Sequence, residues 1–327
     1  MDRKIDELLF SLMQNMMIAV SGEKLARDLG VSHSTLVRWI DKLRESGLEI
    51  RGELFTGFRL VRLPDVMLPQ LIRPRLRSQT LGRNLYHFYK VDSTNAFAGR
   101  LLSHGHKIPD GTVIISESQT AGRGRLGRTW HSESEAGLYF SMVLRPRVPP
   151  SLAPFFTLAT AVAMHNAIER DTRIDVDIKW PNDLLVGGKK ICGVLAEIQA
   201  EVDMVKTLII GVGLNVNHSK LPDDIADRAT SLRIASGRIQ SRLEIFAEFI
   251  EEFEGLYRQF EKSGPASIIE QWTRHSSFAN GRRIEINDGV RVIRGVTRGL
   301  NPLGALRVES GEGRVEEVYS GDVVRWE

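Results

Sequence analysis

The chain of 327 residues is 42% hydrophobic, 26% charged and 7% aromatic, which supports buried cores in two or three domains and excludes a disordered or fibrous protein. Lysine and arginine (44) exceed aspartate and glutamate (41) by only 3, so any footprint for nucleic acid is local rather than spread over the surface. One cysteine, Cys192, excludes an internal disulfide and a cysteine-clustered metal site.

The first residues include Asp2, Arg3, Lys4, Asp6 and Glu7, and Ser11, Gln14 and Asn15 break the apolar stretch that follows, unlike a signal peptide. No run reaches the ~20 consecutive apolar residues that cross a bilayer, and a reducing, cytoplasmic setting is expected. Residues 1–63 read as three helices and a hairpin. Ile5, Leu8, Leu9, Leu12, Met13 and Met16 form one helical stripe, and Leu25, Ala26 and Leu29 form a second that stops at Gly30. Ser32 is placed to cap a third helix carrying Leu36, Val37, Ile40 and Leu43, and alternating runs near Ile50 and Phe58–Leu60 predict the hairpin.

Ala26 and Gly30 supply the small residue and the turn glycine that a helix-turn-helix needs, and the hairpin would be its wing. His33, Ser34, Thr35, Arg38 and Lys42 are the candidate DNA contacts of the third helix, with Arg44, Arg51 and Arg59 toward the phosphates. A plain helical core remains the alternative, because residues 1–63 hold ten basic and nine acidic side chains. So little net charge predicts weak DNA binding by a monomer and tighter binding by a dimer, since phosphate neutralisation supplies much of the affinity.

Pro64, Pro69 and Pro74 with Arg73, Arg75 and Arg77 predict an inter-domain linker over 64–80. Over 81–275 strands are expected at 85–91, 112–118, 137–144, 174–180, 191–199 and 207–216, and helices at 95–104, 152–170, 241–262 and 266–275. With no helix between the strands from 174 to 216, this α/β domain should hold a mixed sheet. Alternating runs at 282–287, 290–298, 305–310 and 314–319, separated by Asp288-Gly289, Asn301-Pro302-Leu303-Gly304 and Gly311-Glu312-Gly313, predict a small β-barrel over 276–327.

The stretch Gln119–Trp130 follows a predicted strand. Gly122, Gly124 and Gly127 let backbone approach a ligand closely, and Arg123, Arg125 and Arg128 offer rigid donor forks to phosphate or carboxylate oxygens. A strand rather than a helix follows, which excludes a P-loop or dinucleotide turn. Lys179-Trp180-Pro181-Asn182-Asp183, the turn Gly187-Gly188-Lys189-Lys190 into Ile191–Glu197, Asp92-Ser93-Thr94-Asn95 and Gly211–Asn217 add polar clusters at strand ends. Their blander readings are hairpin turns and a helix N-cap. His104 and His106 show no metal-ligand spacing, and Cys192 reads as a small core residue.

In this order, these motifs resemble the biotin protein ligases over essentially the whole chain. With a winged helix in front and an SH3-like barrel behind, the chain is similar to the bifunctional form that also represses biotin synthesis genes. The resemblance implies a central domain of the class II synthetase type and an ATP-dependent, AMP-forming ligase. Biotin and ATP give biotinyl-5'-adenylate, which acylates a lysine of the biotin carboxyl carrier protein of acetyl-CoA carboxylase. It implies that Ser93, Thr94, Asn95 and Gln119 line the biotin site, and that Gly122, Arg123, Gly124 and Arg125 form a loop over biotin and adenylate. Lys190, followed by Gly193, contacts carboxylate and phosphate, with Lys189 its inert neighbour. Arg128 and Lys179 add phosphate charge, Asp183 helps hold Mg²⁺ brought by ATP, and Asn215 approaches the nucleotide; no protein-only metal site is expected. Trp130 packs beneath the loop.

A bifunctional member stacks a tryptophan on adenine after the G-x-G-x-N strand, but residues 217–240 here contain no Phe, Tyr or Trp. Leu221, Ile225 and Leu232 are the aliphatic candidates for that cover. The resemblance further implies an adenylate-bound homodimer on operator DNA, with carrier protein competing for the dimer face. A lipoate ligase, a non-catalytic biotin-sensing transcription factor and a monofunctional ligase with a vestigial front domain are the competing readings.

Overall fold

The computed structural model describes residues 3–45, 47–62, 65–311 and 313–327. Pro64 of the expected linker, Asp2 and the side chains of Arg3 and Asp6 in the charged opening, and Glu312 of the last expected turn lie outside the described residues. The chain divides into two compact units, Met1–Pro74 and Arg75–Glu327.

In the first unit, α1 (Arg3–Gln14) buries Ile5, Leu8, Leu9 and Leu12. Helix α2 (Gly22–Leu29) ends at Gly30, whose left-handed φ of 60° lets its N–H bond the Arg27 carbonyl, and buried Ala26 sits one turn earlier. Helix α3 (His33–Glu45) starts where Ser32 Oγ accepts the Thr35 N–H at 3.2 Å. Strands β1 (Glu49–Glu53) and β2 (Gly57–Arg62) pair antiparallel.

The stretch expected as an extended linker departs from that expectation. Val66, Met67 and Leu68 are buried and lead into a one-turn helix, α4 (Pro69–Ile72), which packs on α1. Pro69 sits at the start of that helix, where a missing N–H costs nothing, and Leu71 and Ile72 are core residues.

The second unit opens with β3 (Leu85–Phe88), α5 (Thr94–Ser103), β4 (Thr112–Ser116), β5 (Gly137–Leu144) and α6 (Pro154–Thr172). Four strands follow: β6 (Asp177–Lys179), β7 (Asp183–Val186), β8 (Lys189–Ala200) and β9 (Val205–Asn215). The sheet order is β3-β4-β5-β9-β8-β7-β6; β3 and β4 run parallel and the other neighbours antiparallel, the expected mixed sheet. Strand β7 is an addition to the expected set. Gly187 and Gly188, both at positive φ, turn it into β8. Helices α7 (Leu232–Ser236), α8 (Arg242–Ser263) and α9 (Ala266–Arg274) come next.

Five strands close the chain: β10 (Asn280–Asn287), β11 (Val292–Leu300), β12 (Leu306–Glu309), β13 (Val315–Val318) and β14 (Asp322–Trp326). They form one antiparallel sheet in the order β13-β12-β11-β10-β14, bulged at three of its pairings. These five short, strongly bent strands form the small C-terminal β unit expected over 276–327. It belongs to the same compact unit as the larger sheet.

Period-two alternation decides what each sheet face does. Phe140 on β5 meets Phe246 and Phe249 of α8 at ring separations of 5.2 Å, and α6 packs along α8 and α9 on this side. Helix α6 is long and apolar enough to cross a membrane, but 72% of that stretch is buried inside the fold, as for a core helix. Odd-numbered residues of β5 face the other way: Val143 joins Ala98 of α5, and Ser141 bonds Thr94 and Asn95. On β9, Ile210, Val212 and Leu214 are buried, while Gly211 and Gly213 form bare floor on the α5 side. An ion pair with both side chains fully buried stands near the edge: Arg242 donates to Glu117 and to the Gly137 carbonyl, both at 2.9 Å, and His87 meets the other Glu117 oxygen at 3.1 Å.

Candidate functional site

The site is built on the glycine floor. Gly193 of β8 pairs in register with Gly213 of β9, and Trp130 lies across both. A Cβ on Gly213 would come within 2.3 Å of the indole and one on Gly193 within 3.0 Å. Trp130 is held by its own loop, a narrow hairpin in which Trp130 N–H donates to Gly122 O (2.9 Å) and Gly124 N–H to Arg128 O (2.6 Å). Gly122 has no room for a side chain, since its Cβ would stand 2.5 Å from the Trp130 carbonyl. At the loop tip Leu126 adopts a positive φ of 54° and is 72% exposed.

Ser93, Thr94 and Asn95 are buried where α5 meets the sheet. Ser93 caps α5 by accepting the Ala96 N–H, the helix N-cap that its residue type favours. Gln119 Oε1 accepts the Thr94 N–H at 2.9 Å, and its Nε2 bonds Ser132. Asn95 donates to Glu197 (2.9 Å) and accepts from Ser141 (2.6 Å). These amide and hydroxyl groups form one connected polar row beside Trp130. Ser132, Ser141 and Glu197 belong to it and carried no signal beyond lying within the motifs or the next strand.

Cations gather on the other side. Lys190 Nζ is 2.6 Å from Asp183 Oδ1 and 5.4 Å from the centre of the Trp130 ring. Lys189 points elsewhere, to the exposed Ala226 carbonyl at 2.9 Å. Arg125 reaches Asn182 Oδ1 (3.3 Å) and Asp322 Oδ1 (3.1 Å), and Arg128 takes the other Asp322 oxygen at 2.8 Å. Lys179 lies 4.2 Å over the Trp326 ring, and burial pushes its ammonium below the ordinary lysine range. Arg123 is exposed and faces Glu197 at 3.8 Å. Asp322 and Trp326 stand on β14, a strand that sequence analysis did not anticipate.

Asn215 is buried and donates to the Thr230 carbonyl at 3.0 Å, tying the following loop to the strand end. In that loop Leu221 and Leu232 are core residues and only Ile225 is half-buried, so two of the three aliphatic candidates for adenine cover are consumed by packing. Buried His218 meets Tyr139 at 3.2 Å; desolvation, then the neighbouring His131 and Arg242, lower its pKa to about 4. Burial also pushes the Cys192 thiol up, as for an inert core residue.

In the first unit, His33, Ser34, Arg38 and Lys42 are exposed along α3 and Thr35 is half-buried. A hollow lined by His33, Ser34, Arg38, Lys42 and Leu54 runs beside them. Arg44 departs from the expected phosphate contact: it braces the hairpin through the Ile50 and Gly52 carbonyls at 2.9 and 2.7 Å. Arg51 is exposed and holds Glu49, with Arg59 its cross-strand partner.

Residues 88–215 match the biotin/lipoate A/B protein ligase family, residues 5–58 an HTH domain and residues 280–326 a biotin protein ligase C-terminal domain. The chain is 36% identical to the bifunctional ligase/repressor BirA of Bacillus subtilis over 310 residues, 93% of each chain. It is 31% identical to the biotin–[acetyl-CoA-carboxylase] ligase of Mycobacterium tuberculosis over 269 residues, 80% of this chain and 97% of that one. In structure it is similar to a biotin protein ligase from Aquifex aeolicus in complex with biotin and ATP. The TM-score is 0.65 at 31% identity, covering 75% of this chain and 98% of the other.

Proposed function

The chain belongs to the biotin protein ligases of the bifunctional ligase/repressor type, and on that premise we propose that it activates biotin with ATP and transfers it to a carrier protein. The observation that carries this reading is the cluster of Lys190, Arg125, Arg128 and Lys179 beside the Trp130-covered glycine floor. No protein nucleophile is needed, because biotin's carboxylate attacks the α-phosphate and pyrophosphate leaves. The protein's work is to align two anions and neutralise the charge that develops.

Lys190 is the central group of this proposal. Its ammonium, paired with Asp183 at 2.6 Å, is placed to meet the biotin carboxylate and the α-phosphate. Ser93, Thr94, Asn95 and Gln119 orient the vitamin's ring, and the Gly122–Arg125 loop closes over the adenylate and keeps water from the anhydride. Asp183 and Asp322 offer carboxylate oxygens, the donor type that suits Mg²⁺ carried in with nucleotide phosphates. In this reading Asp183 holds the ion, which supplies further charge neutralisation when bound. The anhydride then passes its acyl group to a lysine of the carrier domain of acetyl-CoA carboxylase.

The helix-turn-helix supports the second half of the proposal, ligand-controlled repression in the cytoplasm. Exposed His33, Ser34, Arg38 and Lys42 and half-buried Thr35 meet base edges and phosphates, Arg51 and Arg59 flank them, and an adenylate-bound homodimer places two copies on a two-part operator. Biotin-dependent exchange of pyrophosphate into ATP tests the enzymatic half directly. Exchange that requires biotin and falls at least 100-fold in Lys190→Ala supports it; exchange independent of biotin refutes it.

A further inference from the structure

On the helical face of the large sheet, away from the glycine floor, three side chains from two helices converge. His165 and Glu169 lie one turn apart on α6, which puts them on one face. His275 caps the C-terminal end of α9. One ligand atom from each lies within 4.8 Å of the others, and the two imidazole rings are 4.1 Å apart at 35°. We infer that His165, Glu169 and His275 form a binding site for a divalent transition-metal ion of the Zn²⁺ class, independent of the ligase reaction.

The donor set selects the ion. Two imidazoles and one carboxylate suit Zn²⁺, Co²⁺ or Ni²⁺ and not Mg²⁺, which prefers oxygen and octahedral geometry. Metal–ligand bonds of about 2.0–2.2 Å place tetrahedral ligand atoms about 3.4 Å apart. From within 4.8 Å, small side-chain rotations close that gap, and a fourth position is left for water.

The surroundings favour a cation. His165 Nδ1 is 3.2 Å from Asn166 Oδ1, an acceptor, and the tautomer that donates there leaves the lone pair on Nε2. Asn166 is itself held by Glu252 and Gln271, the outer support that orients metal-binding imidazoles. The adjacent cations have other partners: Arg170 pairs with Glu248 and Glu252, and Arg274 with Glu270. Burial and the neighbouring His165 ring lower the pKa of His275, which leaves its lone pair available at neutral pH. Two helix C-terminal ends, of α6 and α9, add negative potential.

An occupied site would pin α9 to α6, and the His275 carbonyl accepts the Ile178 N–H at 3.1 Å, next to Lys179 of the ligase site. The test uses the tag-free full chain, stripped with EDTA, without biotin or ATP, titrated with Zn²⁺ against a chromophoric chelator. One equivalent should bind and raise the melting temperature, and excess Mg²⁺ should not displace it. Glu169→Gln and His275→Gln, each with unchanged circular dichroism, should weaken binding at least tenfold and abolish the thermal shift. Co²⁺ should give a visible absorption band in the wild type that both variants lose. Failure of the wild type to bind one equivalent, or binding in both variants within twofold of wild type, overturns the proposal.

Discussion

The Lys190 ammonium and the Asp183 carboxylate stand 2.6 Å apart, the lysine on β8 and the aspartate across the hairpin on β7. The two side chains thus hold each other in position. Lys190→Ala removes the cation proposed to meet biotin's carboxylate and the α-phosphate. Loss of one such preorganised donor costs about 3–4 kcal/mol of transition-state stabilisation, so adenylate formation should fall about 100- to 1000-fold. Single-turnover formation of adenylate checks this, and Lys189→Ala should stay within threefold of wild type.

Asp322 clamps Arg125 and Arg128 from β14. If that clamp positions the loop over the intermediate, Arg125→Ala and Asp322→Ala should each speed adenylate release, by about 3- to 10-fold, with the fold intact. Contacting residues do not act additively. The double variant should therefore release adenylate no faster than Arg125→Ala alone, as measured by chase of labelled intermediate.

Gly213 supports Trp130 because it has no side chain; its Cβ would stand 2.3 Å from the indole. Gly213→Ala should displace the ring, costing about 1–3 kcal/mol in stability by overpacking and weakening biotin binding at least tenfold. Indole fluorescence and calorimetry read the two effects. Gly255→Ala, in open space on α8, is the control and should be neutral or stabilise by about 0.5–1 kcal/mol.

His218 gives a pH signature. Its folded pKa of about 4 lies below the ordinary histidine value of 6.5, so between these values the unfolded chain binds more protons than the folded one. Stability is therefore full above pH 6.5 and falls as pH drops toward 4, by about 3 kcal/mol at most from this residue. His275, also lowered, adds a contribution of the same sign. Denaturant unfolding at several pH values should show a shallower slope over this window in His218→Gln.

Much of the architecture was legible because its periods are strong. The strand expected at 207–216 is β9, and the structure adds that Ile210, Val212 and Leu214 are buried while Gly211 and Gly213 leave its other face bare. The turn glycine Gly30 and the cap Ser32 mark the helix-turn-helix as read. Strand β7 lies between the Trp180-Pro181-Asn182 stretch and the Gly187-Gly188 turn and reads as part of that turn, and β14 follows the last alternating run that was read as a strand. The prolines of 64–80 hid a buried segment because Pro69 can start a helix as well as stop one.

Within the site, residues inside one motif were readable, and partners brought from afar were not. Arg125 is marked by its glycine neighbours, whereas Asp322 is an ordinary acid until β14 places it beside the loop. Leu221 and Leu232 could cover adenine on composition, but burial consumes them. His165 and Glu169 share a helix face, yet their third partner lies on another helix.

A cationic, glycine-floored site is proposed to make an acyl-adenylate from biotin. The most direct measurement incubates the full chain with radiolabelled biotin, ATP and Mg²⁺, separates the products, then adds a carrier domain. Labelled biotinyl-adenylate should form only with ATP and then move to the carrier lysine. Protein that forms no labelled adenylate, or labels the carrier without ATP, would contradict it.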